Sequence, residues 1–165
     1  MKKYPFVLLA ATLSISLDLT MSTLCRAADA STPLERLSGN WLLIESDGKS
    51  MALANRCMQA QIFFVCEQSV DGKPDVLLIF LPKGHNGGGY TFGTEVILAN
   101  GSPPGPWGIL TIDGDDWTYT QASEHPSSRT LNHFADQDHI QFYTQILNPD
   151  KTWKTIASGN ETRQH

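Results

Sequence analysis

Five histidines, His85, His125, His133, His139 and His165, are the residues of this chain best suited to acid–base or metal chemistry. No two share the i, i+4 spacing that sets a pair on one helix face, and there is no His-Glu-x-x-His. His133 and His139 flank the turn Asp136-Gln137-Asp138. A three-residue loop over residues 135–137 sets them opposite each other. A carboxylate from Asp136 or Asp138 then completes a three-ligand metal site with an open position. The competing reading is a solvated hairpin tip, preferred because turns use Asp for backbone reasons alone. Asp113, Asp115 and Asp116 form a second acidic group. They lack the loop length and closing glutamate of an EF-hand and read as an acidic turn. Neither a metal nor a cofactor is predicted. Serine chemistry has no better footing, since no Gly-x-Ser-x-Gly occurs. Gly84-His85-Asn86-Gly87-Gly88-Gly89 is glycine-rich but joins two predicted strands instead of opening a helix, so it does not cradle a phosphate.

The elements that would position such groups follow a period of two. Ser31 to Leu37 reads as one capped helical turn, with Pro33 suited to a first helical position. Short apolar segments follow: 39–46, a cysteine hairpin over 53–66, 75–81, 90–98, 107–112, 115–121, 128–135, 139–147 and 153–158. Between them stand Asp47-Gly48, Asp71-Gly72-Lys73-Pro74, Asn100-Gly101, Asp113-Gly114, Asp136-Gln137-Asp138 and Asn148-Pro149-Asp150. Many short strands with turn punctuation and no intervening helix predict an antiparallel sandwich or barrel. The Asp113-Gly114 turn is expected to pair Ile112 with Asp115, Leu110 with Trp117 and Gly108 with Tyr119. One face of that hairpin, with Leu110, Trp117 and Tyr119, is dry, and the other is wet. Alternation also puts Glu45 on the face of Trp41. If that face is interior, a carboxylate enters the cavity; a bulge or an early strand end is the alternative.

The first thirty residues read as a secretory leader. Lys2 and Lys3 form a basic start, residues 4–17 are mostly apolar, and Ala28-Asp29-Ala30 supplies a small-x-small cleavage pattern. Cleavage is placed after Ala30, which leaves residues 31–165 as one soluble domain without a membrane anchor, in the periplasm or outside the cell. The whole chain has 12 basic and 17 acidic residues; the leader removes three and two of these, leaving a mature net charge of −6. An acidic domain with no basic stripe is a poor binder of nucleic acid, whose phosphates demand neutralisation. Only Cys57 and Cys66 survive cleavage, an even count that suits an oxidising compartment. A hairpin with Gln61-Ile62 at its tip sets them face to face as a disulfide, worth roughly 2–3 kcal/mol on the chain-entropy model.

Leu37-Ser38-Gly39-Asn40-Trp41 opens the first strand just after the leader, and Arg163 stands near the far end. With Asp115-Asp116-Trp117-Thr118-Tyr119-Thr120, residues 136–142, residues 150–154 and Gly159-Asn160-Glu161-Thr162-Arg163, this pattern resembles the calycin superfamily of lipocalins and fatty-acid-binding proteins. Within it the chain is most similar to small secreted bacterial lipocalin-like proteins. The resemblance implies an all-β, antiparallel up-and-down barrel of about 8–10 strands. It further implies that Gly39, Trp41 and Arg163 are structural, with the tryptophan plugging one end and the arginine packed over its face.

Two kinds of function fit that scaffold. One is a binding module for a small apolar or amphipathic molecule, with Glu45, Leu110, Trp117, Tyr119 and Phe142 as candidate ligand-binding residues. The other is a barrel enzyme, an isomerase, lyase or hydrolase, using His133, His139 or Glu45 as acid or base. A filled barrel serving as a ligand-free envelope protein is a third. The binder is the preferred reading, and no catalytic residue is assigned.

Overall fold

The computed structural model describes residues 32–165 apart from 88, 103, 105 and 106; the leader and its cleavage point lie outside the described residues. A six-residue 3-10 turn, Thr32–Leu37, is followed by β1 Gly39–Glu45, β2 Ser50–Ala60, β3 Phe63–Val70, β4 Lys73–Asn86 and β5 Gly89–Leu98. Then come β6 Gly108–Asp113, β7 Asp116–Gln121, β8 Ser128–Phe134, β9 His139–Leu147 and β10 Trp153–Gln164. Each strand pairs antiparallel with its sequence neighbour, and β10 closes on β1 to complete a ten-stranded up-and-down barrel. Closure removes the open strand edges that would otherwise invite aggregation.

The turns bear out the punctuation, with one correction. Val70 pairs with Lys73, so Asp71 and Gly72 (φ 48° and 75°) are the central pair of that turn, the left-handed arrangement that Asp-Gly favours. At the later Asp-Gly the register differs from expectation. Asp113 itself pairs with Asp116, which moves Ile112 opposite Trp117, Leu110 opposite Tyr119 and Gly108 opposite Gln121. Gly114, at φ 59°, takes the first central position, where a two-residue hairpin of the Gly-x kind requires it. The face assignment survives, because the pairing moves by two residues and side-chain parity is kept. Gly108 is required by close approach: a Cβ there would strike the Thr94 hydroxyl.

Cys57 and Cys66 are paired residues on β2 and β3 with Ala60 opposite Phe63, so Gln61-Ile62 forms the tip as expected. Their Cα atoms are 4.1 Å apart and the sulfurs are bonded. The disulfide lies on the inner wall, with Cys66 wholly buried. A covalent bridge of this kind suits a site outside the reducing cytoplasm.

The two ends of the barrel differ. The lower end carries the connections after β2, β4, β6 and β8 and is covered by the 3-10 turn; the upper end carries the remaining connections. Core side chains crowd the lower half: Leu34, Trp41, Phe64, Phe80, Phe92, Ile112, Trp117, Phe134 and Ile140 are all at most 3% exposed. Close packing of this kind around Trp41 and Trp117 is where the hydrophobic stabilisation of the domain concentrates.

Candidate functional site

The lower end is held by a hydrogen-bonded plug. The last carbonyls of a short helix lack intrahelical donors, and side chains from three strands supply them. Trp41 Nε1 and Asn55 Nδ2 both donate to the Leu37 carbonyl, each at 3.1 Å. Arg163 donates to the carbonyl of Arg36 at 2.8 Å and, more closely still, to that of Ser38. Its guanidinium lies 4.1 Å over the Trp41 ring and pairs with Asp138 at 3.0 Å. Gly39 has φ 126°, and a Cβ there would run into the same guanidinium. Gly39, Trp41 and Arg163 thus form one packed unit. Arg36 repeats the motif beside it, 4.1 Å over Phe134 and 2.7 Å from Asp115.

The acidic turns and histidines serve this end. Phe134 pairs with Ile140, with residues 135–139 between them, so His133 faces Gln141 and not His139. The expected three-residue loop does not form, and the candidate three-ligand site is not assembled. Each ring instead has its own carboxylate: His133 Nδ1 lies 2.7 Å from Asp116, and His139 Nδ1 lies 2.9 Å from Asp136. The Asp138 N–H and the His139 ring hold Asp136 below the usual carboxylate range. Asp115 and Asp116 are spent on Arg36 and His133, so the acidic triplet does not converge. Among the described residues no group of three histidine, cysteine or acidic side chains is placed to hold a metal ion.

The upper half is not filled. Thr94, Val96, Gly108, Tyr119, Thr120, Gln121, Ser128, Thr130 and Thr144, with Arg129 as the one charged residue, line a cavity of about 220 Å³. Val96 is 38% exposed, and its inner-face companions Leu98 and Ile146 are 36% and 37% exposed, although the register points all three inward. Tyr119 lines this cavity from β7. Burial lifts its phenol pKa above the ordinary value, and the nearby Glu161 charge adds to the effect. Glu161 shares the inner face of β10 with Arg163. It pairs with Leu43 on one side and Ile140 on the other. Burial raises its carboxyl from 4.5 to about 7. Among the described residues it has neither a hydrogen-bond nor an ion-pair partner.

Of the expected ligand-contacting residues, Tyr119 lines the cavity and Phe142 packs over Gly159 on the wall near Glu45. Glu45 does share the face of Trp41, at the upper end of β1 opposite Gly159, and stays half-buried. Leu110 and Trp117 are 0% and 1% exposed, so they form the packed floor. His133 and His139 sit at the lower end, away from Glu45. Glu161, Asn132 and the Thr130–Thr144 pair, 3.3 Å apart, are interior polar groups that the sequence reading did not select. Parity could have found Glu161: if Arg163 covers Trp41 from inside, the residue two before it must also point inward.

No protein-family model and no curated protein matches this chain.

Proposed function

We propose that this protein is an exported, calycin-like binding module that holds one small apolar or amphipathic molecule in the upper half of its barrel. The observation that carries this reading is the solvent contact of inward-facing Val96, Leu98 and Ile146 above a floor that is fully packed. A barrel whose role was purely structural would gain by burying these side chains, at roughly 25 cal/mol per Å² of apolar surface. The cavity, about 220 Å³, is smaller than the roughly 300–1,000 Å³ usual for small-molecule sites. It therefore suits a compact molecule, or the head of a longer one whose tail leaves through the mouth. Export is supported by the leader-like first thirty residues and by the interior disulfide.

Native mass spectrometry of the protein, exported to an oxidising compartment and purified without detergent, tests both parts. The expected result is a chain beginning at Ser31 and two hydrogens lighter than the reduced form, carrying an adduct that is lost on denaturation. A bare mass, together with failure of apolar dyes to bind at the mouth, would overturn the binding reading.

A further inference from the structure

We propose that the chamber takes its ligand by a neutral hydroxyl-bearing head, an alcohol or a vicinal diol, received by the inward hydroxyls of Thr94, Tyr119, Thr130 and Thr144. This rests on the binding reading above and names the chemical class of the ligand.

Hydroxyls dominate the inner wall of the cavity. The register sets Thr94 opposite Gly108, Tyr119 opposite Thr130, Thr130 opposite Thr144 and Ser128 opposite Ile146. Four strands thus bring their hydroxyls onto one interior surface. The Thr130 and Thr144 hydroxyls lie 3.3 Å apart. That contact uses one of their two protons and leaves the second as a donor, together with acceptor lone pairs. Thr94 keeps its place because its neighbour is Gly108, where any Cβ would strike the Thr94 hydroxyl. Burial raises the Tyr119 phenol above its ordinary value, so at neutral pH it is protonated and offers a donor.

Arg129, the charged residue of the lining, has its guanidinium engaged elsewhere. It alternates with the inward Ser128 and Thr130, so its side chain leaves on the outer face. There its Nε donates to Gln145 at 2.8 Å and its guanidinium lies 4.2 Å over the Trp153 ring. Among the described residues the lining has no carboxylate, so an ammonium meets no counter-charge in it. An ion entering this space would exchange water for neutral hydroxyls, and an unpaired buried charge costs far more than an unpaired dipole. A wholly apolar molecule has the opposite fault, because it leaves the hydroxyls that face it without partners. A hydroxyl head both donates and accepts, as the wall does. Its tail then runs past Val96 to the exposed Leu98 and Ile146 at the mouth.

Vicinal octanediol, octylamine and octanoate share an eight-carbon chain and differ in the head, so calorimetric titration of the full protein with each separates head from chamber. At about pH 7 the diol is expected to bind at least about tenfold more tightly than either ion. Thr130→Val combined with Thr144→Val keeps the shape of the pair and removes its hydroxyls. It should weaken the diol at least about fivefold while both ions stay within about twofold. An equal loss for all three probes would mean that the pair shapes the cavity without receiving the head, and the assignment would fall. Should that variant not fold, the wild-type order of the three probes carries the test. If either ion binds as tightly as the diol, the hydroxyl assignment is overturned while the binding module stands; loss of octanoate binding in Arg129→Gln would then name the anion's receiver. If none of the three binds, both readings fall.

Discussion

Around Trp41 at the lower end of the barrel, the 3-10 turn's free carbonyls are met by indole, amide and guanidinium donors from strands far apart in sequence. Around Tyr119 at the upper end, inward-facing apolar side chains meet solvent and the lining leaves a cavity. The same alternating strands build both ends, so secondary structure does not explain the contrast. What differs is how completely the inward positions are packed against one another. Stability is concentrated in one half, and the other half can then carry strain and empty volume without unfolding the domain. Local stability in proteins is uneven in this way, and binding regions are drawn from its weaker end.

The sharpest way to break this comparison is to remove the anchor of the strong half. Trp41→Ala should cost about 3–5 kcal/mol, the range for deleting a fully buried aromatic, measured by denaturant unfolding. A loss under about 1 kcal/mol would mean the plug is not the stabilising unit. Glu161→Gln should move stability the other way. Between about pH 4.5 and 7 the folded protein retains a proton on Glu161 that the unfolded chain has released. Wild-type stability therefore falls as pH rises through that window and is level above it. The glutamine variant escapes this loss, so it should be more stable above about pH 7, by up to about 3 kcal/mol. The difference should vanish near pH 4, which thermal melts across pH would show. The smallest effect belongs to the rim: Ile146→Ser should change stability by less than about 1 kcal/mol while weakening binding of an apolar probe severalfold.

Much of the architecture was legible because both signals that define it are local. Period-two alternation located every strand, but not every limit: β4 runs over Lys73–Asn86 where 75–81 was expected. The disulfide followed from counting back from Gln61-Ile62. The Asp113-Gly114 register was misread because a dipeptide does not reveal which of its members takes the first central position; the left-handed conformation of Gly114 decided it. The His133–His139 site failed for a similar reason, since the pairing is displaced by two residues, which sets Gln141 instead of His139 opposite His133. Glu161 was overlooked because β10 was expected to end at Ser158 and in fact runs to Gln164. Nothing in that segment's composition marks it as a strand. Pairing with β1 makes it one, and such long-range pairing cannot be read from the segment alone.

That pairing has a consequence for how the molecule is made. Asn40 is in register with Gln164, and Glu45 with Gly159, so the first strand's second partner is the last of the ten barrel strands to be synthesised. Until residues 159–164 emerge, β1 keeps an open edge and the Trp41 ring lacks its cationic cover. Contacts this distant in sequence form late and slowly, during which an apolar interior stays available to other chains. The final strand is the clasp of the barrel, and a chain shortened before Gly159 would have a wall but no way to close it.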